Sequence, residues 1–515
     1  MPLTTFRDEN IIVIHIGSYR TRAILGLSES LTPPTVKILT RVGIRRGQNN
    51  GVTGENTEEK YLVGAELCEA LISDRNIEII WPIKRGIVKN WKALEAIWSY
   101  ILYKLLNRPY PPQPRTFVNP VYLIVPPQWN FRDKELATRI FFEEHLVAGF
   151  AIGNSSVLPL YAMGHLSGLV IHIGHEKTDI TPILDAQAIA PARVTIPIGG
   201  KDITEYLYSL LLSSPPILKE TNMPLLPEEI TLELSEKIKY SNIVEVIVEN
   251  VQDSFQKLLN RENDNLQLPD SSMDGVEDVA SIVASGKTRE YLAQKEAEKN
   301  QSKKGQKAEN IVLDNKEMNY NQFTMDNNQV ILVGKERFKL CDFFFNDVKD
   351  GRLDILNAVY IAINNPSIES NRRAELWENI AIVGEGSRIT GFKERIFSDL
   401  TQKFVSVIEN SSQKHHNLPI PTYTTPNTSS TLNPNSSYLV YHNPPIIFPS
   451  TIRLAKIPDF FPEWKPDRNP NAVLEEACFL GGEIVAKLSF NDPSSKNYMG
   501  RGEYNENGPP YINDI

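Results

Sequence analysis

The chain has 515 residues, 41% of them hydrophobic and 23% charged, enough apolar material for a large core divided between at least two lobes. Its 54 Lys and Arg stand against 63 Asp and Glu, a net charge of −9 that offers no general attraction to nucleic acid or to an anionic membrane, so no direct sequence-specific nucleic-acid contact is expected. Cys68, Cys341 and Cys478 are too few and too far apart for a disulfide framework or a zinc site, the run Ile11 to Ile16 is too short for a signal-peptide core, and no stretch reaches the roughly 18 apolar residues of a membrane span, so a reducing compartment and no membrane are expected.

In chain order, the first feature is VIHIG at 13–17, which recurs as VIHIG at 170–174, each copy followed by Thr four residues after its Gly. An apolar, β-branched run that reaches a Gly turn and resumes as TRAILGL or TDITPIL predicts a β-hairpin opening a sheet, and its recurrence predicts two lobes of common origin. Between the copies, NWKALEAIWSYILYKLL sets Leu94, Ile97, Trp98, Ile101, Leu102 and Leu105 on one helical face behind Asn90 as N-cap. VYLIVPP at 121–127 predicts a buried strand and DKELATRIFFEEHL a second amphipathic helix. After the second copy, TIPIGGKDITEYLYSLLL passes from strand through Gly199 and Gly200 into a helix, and NIAIVGEGSRITGFKERI repeats that grammar with Gly384 and Gly386 in the turn. Alternating strands and helices in both halves predict an α/β fold.

Two stretches interrupt this pattern and are expected to be surface insertions. Residues 262–325 are rich in Asn, Asp, Gln, Glu and Lys, and 408–446 are dominated by Ser, Thr, Asn and Pro. The Lys-rich run at 295–307 is a weak nuclear-import candidate and more simply a solvated loop.

A glycine-bearing hairpin in each half is suited to gripping phosphates from both sides, because backbone N–H groups of such turns point at an anion; equally, Gly at these points only makes a tight turn. Beyond the hairpins, PIKRGIVKNWKALEAIW at 82–98, VLPLYAMGHLSGLVI, IPIGGKDITEYL, VILVGKERFKLCDFFF at 330–345, PSTIRLAKI at 449–457, FLGGEIVAKLSF at 479–490 and EYNENGPPYI at 503–512 resemble blocks of the actin family in the same order. The resemblance covers nearly the whole chain outside the insertions. It implies the duplicated two-lobe actin-like fold: a first lobe at 1–168 with a small distal subdomain at about 35–82, a second lobe at 169–478, and a segment 479–515 returning to the first.

The family holds ATP between its lobes, and the resemblance implies which positions would do so here. Gly17, Ser18, Arg22, Gly174, Gly199, Gly200, Gly384 and Gly386 match nucleotide-facing positions. His15 and His172 stand where the family has the two aspartates that organise magnesium and its waters, His175 stands at a third acidic position, and Ser155 replaces the glutamine that helps position the attacking water. Tyr19 takes the place of a glycine and crowds the phosphate space. Imidazoles are poor ligands for magnesium, a hard cation, and phosphoryl transfer depends on that metal, so the site is expected to be degenerate, with no catalytic residue, no cofactor and no tight ATP binding. Three imidazoles on one cleft would suit zinc, but the plainer reading is tolerated replacement, and no metal is assigned.

LAKIPDFFPEWK followed by FLGGEIVAK, with DVASIVASGKTREYLAQKEAEK in the first insertion, resembles the actin-related protein nine branch of the family, found in fungal SWI/SNF- and RSC-type remodelling complexes. That resemblance implies a nuclear, non-catalytic scaffold regulating chromatin remodelling and transcription. Its partners would be a second actin-related protein in a heterodimer, the helicase-SANT-associated helix of the remodeller ATPase, and other subunits of the complex. The alternative is an ATP-binding or ATP-hydrolysing relative with a cytoskeletal role. The resemblance places helix docking in a groove at the base of the lobes, with Tyr161, Gly164 and Leu166 on one wall and Ile484, Val485 and Leu488 on the other. Ordinary core is the bland reading of that stripe.

Overall fold

The computed structural model describes residues 6–45, 61–73, 76–112, 118–248, 315–345, 353–405, 449, 451–465, 476–492 and 497–515. The two VIHIG copies seed the two main sheets. In the first half, Ile12–Ile16 runs antiparallel to Arg20–Leu25 and parallel to Pro120–Val125, within a six-stranded sheet that also holds Val36–Leu39, Gly149–Asn154 and Met499–Gly500. In the second, Gly168–Ile173 runs antiparallel to Thr178–Leu184 and parallel to Ile380–Val383. The register repeats as well. His15 lies opposite Arg22 and Ile124, and His172 opposite Asp179 and Val383. A mostly apolar strand buried on both faces is what a parallel neighbour and covering helices require, and every residue of Ile12–Ile16 and Pro120–Val125 is buried, His15 included.

Each sheet carries its own hydrophobic core, and a third cluster lies between them, where Leu158, Leu160, Val170, Val383, Phe479 and Leu480 meet Val13 and Ile124. This is the duplicated α/β architecture read from the sequence, with the helix Ala477–Asn491 packed against Leu158–Ala162 and the first-half sheet. That helix comes unusually close. A Cβ on Gly481 would stand 1.9 Å from the Leu158 carbonyl oxygen, so only glycine admits this packing.

The capping signals hold locally. Asn90 Oδ1 accepts from the Ala93 N–H at 3.0 Å, opening Trp91–Ser99, and Asn130 with Asp133 forms a reciprocal capping box at the start of Phe131–Glu143. One helical face shifts. The helix after Ser99 continues as a wider π-type turn over Tyr100–Leu105, and the extra residue per turn rotates the stripe, so Leu106 is buried while Leu105 is only partly so.

A second correction concerns the stretch 262–325. Its last part is not a surface insertion: Asn321–Thr324 pairs with Val330–Val333, which in turn pairs with Ile217–Leu218. Fully buried Arg337 fastens this turn by donating to the carbonyls of Asn315, Met318, Asn319 and Gly334. Residues 262–314, among them the Lys-rich run at 295–307, and the stretch 408–446 lie outside the described residues.

Candidate functional site

Both hairpins turn identically. The Gly17 N–H donates to the Arg20 carbonyl at 3.1 Å, and the Gly174 N–H donates to the Lys177 carbonyl at 2.9 Å. The second hairpin then meets the helix Gly200–Ser213, whose first N–H groups, of Gly200 and Lys201, donate to the carbonyls of Gly174 and His175, each at 2.8 Å. Those donors are the ones a helix N-terminus would offer to an anion, and here the protein's own backbone takes them. A Cβ on Gly199 would stand 2.6 Å from the backbone of Gly174 and His175, and one on Gly386 would stand 2.5 Å from Ile173 Cγ2. Gly384 has φ +96, and a Cβ there would stand 2.4 Å from the Ile173 carbonyl. These glycines pack the second hairpin against its neighbours.

Arg22, read from the sequence as the cation retained for phosphate, is committed elsewhere. It is buried, with Nε donating to Glu476 Oε1 at 2.6 Å and Nη2 to Glu385 Oε2 at 3.2 Å. Lys37 Nζ donates to the other Glu476 oxygen at 2.9 Å, and Arg20 pairs with Glu385 Oε1. The Tyr19 ring stacks on His175 with centroids 4.1 Å apart and on Trp81 at 5.6 Å. Ser18 Oγ accepts from the Gly86 N–H at 3.2 Å. What remains open is about 90 Å³, lined by both hairpins, Ser155, Glu385, Glu476 and Cys478. That is room for roughly half a dozen waters at about 10–15 Å³ each.

The histidines are held neutral. Burial, with Arg22 and His172 nearby, pushes His15 well below the ordinary 6.5. Burial also brings His172 and His175 down to about 4; Asp179 opposes this at His172, while Lys239 adds to it at His175. Burial works against the charges of Arg22 and Glu476 and is the largest single influence on each, but Glu476 and Glu385 together outweigh it at Arg22, and Arg22 and Lys37 together at Glu476, so Arg22 is shifted up and Glu476 down, and both stay ionised. Asp179, opposite His172, is likewise held below the usual carboxylate range: burial opposes this, but Lys177 and the Thr195 hydroxyl prevail. The cleft therefore offers a triphosphate no free cation at Arg22, and it offers magnesium the neutral imidazoles of His15, His172 and His175 beside carboxylates of Asp179, Glu385 and Glu476 that are already paired with Lys177, Arg20, Arg22 and Lys37. These residues do not fit a magnesium nucleotide.

Nor do they converge on a transition metal. His15 Nε2 faces the Cys478 thiol at 3.9 Å, while His175 lies flat on Tyr19. Among the described residues no three His, Cys, Asp or Glu side chains are placed to hold an ion. Ser155 is buried, and its carbonyl accepts from Cys478 at 3.4 Å.

Of the residues read as a docking groove, Tyr161, Ile484 and Val485 are half-buried against the central cluster, whereas Leu166 and Leu488 are 61% and 65% exposed. Gly164, at φ +76, has open space above it except for Pro458 Cγ at 3.9 Å. The stripe of 484, 485 and 488 thus leaves the core as it runs along the helix. Phe460, absent from the sequence reading, is 70% exposed in the segment that carries Pro458. Sequence reading also missed Glu385, Glu476, Lys37 and Arg20. The one available signal was a charged residue at 385, between the glycines 384 and 386 of a turn read as phosphate-facing.

The actin family model matches residues 7–420. The chain is 38% identical to a Schizosaccharomyces pombe protein described as "SWI/SNF and RSC complexes subunit arp9", over 99% of each chain. It is 34% identical to centractin of the same yeast over 47% of this chain and 59% of that one, and 28% identical to actin-related protein 2 of Saccharomyces cerevisiae over 30% of this chain and 40% of that one. Matching hairpins, matching sheets and a family match across most of its length together show that the chain belongs to the actin family.

Proposed function

We propose that this protein is a non-catalytic scaffold subunit of a nuclear chromatin-remodelling complex of the SWI/SNF or RSC type. In this reading it pairs with a second actin-related protein and holds the helicase-SANT-associated helix of the remodeller ATPase in the groove between Tyr161, Gly164 and Leu166 and Ile484, Val485 and Leu488. DNA translocation belongs to the ATPase, and the actin-like pair tunes it. End-to-end similarity to a subunit of such complexes supports the assignment. The observation that carries the non-catalytic part is the engagement of Arg22 by Glu476 and Glu385, with neutral imidazoles where magnesium would need carboxylates.

Affinity purification of the tagged protein tests the assembly, with remodeller ATPase and a second actin-like chain expected among the co-purifying subunits. Isothermal titration with magnesium ATP tests the cleft. Sub-micromolar, magnesium-dependent binding would overturn the non-catalytic reading.

A further inference from the structure

In nucleotide-binding two-lobe proteins, the ligand itself pins the lobes by bonding to both. Here the contacts that span the cleft are supplied by side chains and loops of the protein. Arg20 and Arg22, on the strand after the first hairpin, bond Glu385, which follows the second-sheet strand Ile380–Val383. Tyr19 of the first hairpin stacks on His175 of the second. The Arg85 N–H donates to Glu176 Oε2 at 2.6 Å, Gln128 Nε2 donates to Asp179 Oδ1 at 3.0 Å, and Arg193 Nη1 donates to the Pro127 carbonyl at 2.8 Å. Each of these joins a residue of the first half to one of the second.

The arrangement is two-sided. Glu385 alone accepts from two guanidinium groups, and Arg22 passes the link on to Glu476, the residue just before the helix Ala477–Asn491. Arg22 and Glu385 keep only 9% and 18% of their side-chain exposure, and charge-assisted bonds between groups so far withdrawn from solvent are stronger than their surface counterparts; ring stacking adds a geometric constraint that a screened ion pair lacks. We propose that these groups form an interlobe latch, which holds the two halves closed without any nucleotide. It rests on the reading above that the cleft carries no nucleotide, and it adds what takes the nucleotide's place. Glu385 and Tyr19 are its central members, because Glu385 holds two cations of the opposite half and Tyr19 lays its ring on His175.

The test uses the full chain, spin-labelled at Cys68, which is exposed on the helix Gly64–Ser73 of the first half, and at a Met223→Cys substitution, exposed in the second half. The distance between the labels is measured by pulsed electron spin resonance, with and without magnesium ATP, in a protein otherwise unchanged and in one carrying Tyr19→Ala with Glu385→Ala. The latch predicts one narrow distance in the nucleotide-free parent and a longer, broader distribution in the double variant. Amide exchange in both hairpins should then quicken at least roughly tenfold, since the double variant removes two charge-assisted bonds and a ring stack, and about tenfold is what loss of one such bond would give. Should the double variant fail to fold, Glu385→Gln keeps the shape of the side chain while removing its charge, and is read the same way. A parent that is already broad, or a folded variant whose distances and exchange match the parent's, overturns the latch. Tight ATP binding by the parent would instead overturn the reading of the cleft, and the nucleotide-free measurement would still judge the latch.

Discussion

Holding His172 neutral makes the fold sensitive to acid in a way that one substitution isolates. Burial lowers its pKa from 6.5 to about 4, so between those values the unfolded chain takes up a proton that the folded chain refuses. Stability from this residue is therefore full above pH 6.5, falls as the pH drops towards 4, and levels off below. The full shift corresponds to about 3 kcal/mol, and by pH 5 about 2 kcal/mol of it is lost. The imidazole keeps an edge towards the cleft, which puts the expected loss nearer 1–2 kcal/mol. His172→Asn cannot titrate in either state. Urea unfolding followed by circular dichroism at pH 7 and pH 5 should show the parent losing that much more stability than the variant on acidification. Parallel losses in the two proteins would refute the account, whatever the variant's stability at neutral pH.

The opposite pH trend is expected from Glu483, whose carboxyl is fully buried, with neither oxygen bonded among the described residues, and whose pKa burial pushes well above 4.5. Its contribution is complete below that value and declines as the pH rises, so Glu483→Gln should melt higher than the parent at pH 7, with the gain shrinking at pH 5 in calorimetry. Glu476→Ala strips one of two carboxylates from buried Arg22 and should cost about 2–3 kcal/mol in denaturant unfolding, somewhat less than the roughly 3–5 kcal/mol of a buried pair broken outright. If the groove reading holds, Leu488→Asp should leave the melting temperature of this protein unchanged, because the residue is 65% exposed. It should also weaken capture of the ATPase helix by about 2–4 kcal/mol in titration calorimetry. An unfolded variant would place Leu488 in the core after all.

What the sequence determined by itself was largely local or repeated. The two VIHIG copies forecast matching hairpins and sheets because β-branched runs that end at glycine turns carry their own register. Asn90 and Asn130 forecast helix starts because a cap bonds only two or three residues away. His15, His172 and Ser155 raised the expectation of a degenerate cleft only through the family resemblance, which says what stands at those positions elsewhere.

What only the tertiary structure decided depends on partners far apart in the chain. Arg22 read as a cation kept for phosphate, and only folding brings Glu385 and Glu476 to it from 363 and 454 residues away. A single sequence contains no periodicity that links such positions. The wider turn that exchanges Leu105 for Leu106 and the strand Asn321–Thr324 inside a polar stretch were hidden for a related reason. Each is set by packing against neighbouring elements, which overrides the composition of the segment itself. Residue types could thus point to imidazoles where the resembled family has magnesium-organising carboxylates, but which charges meet across the cleft is a property of the folded chain.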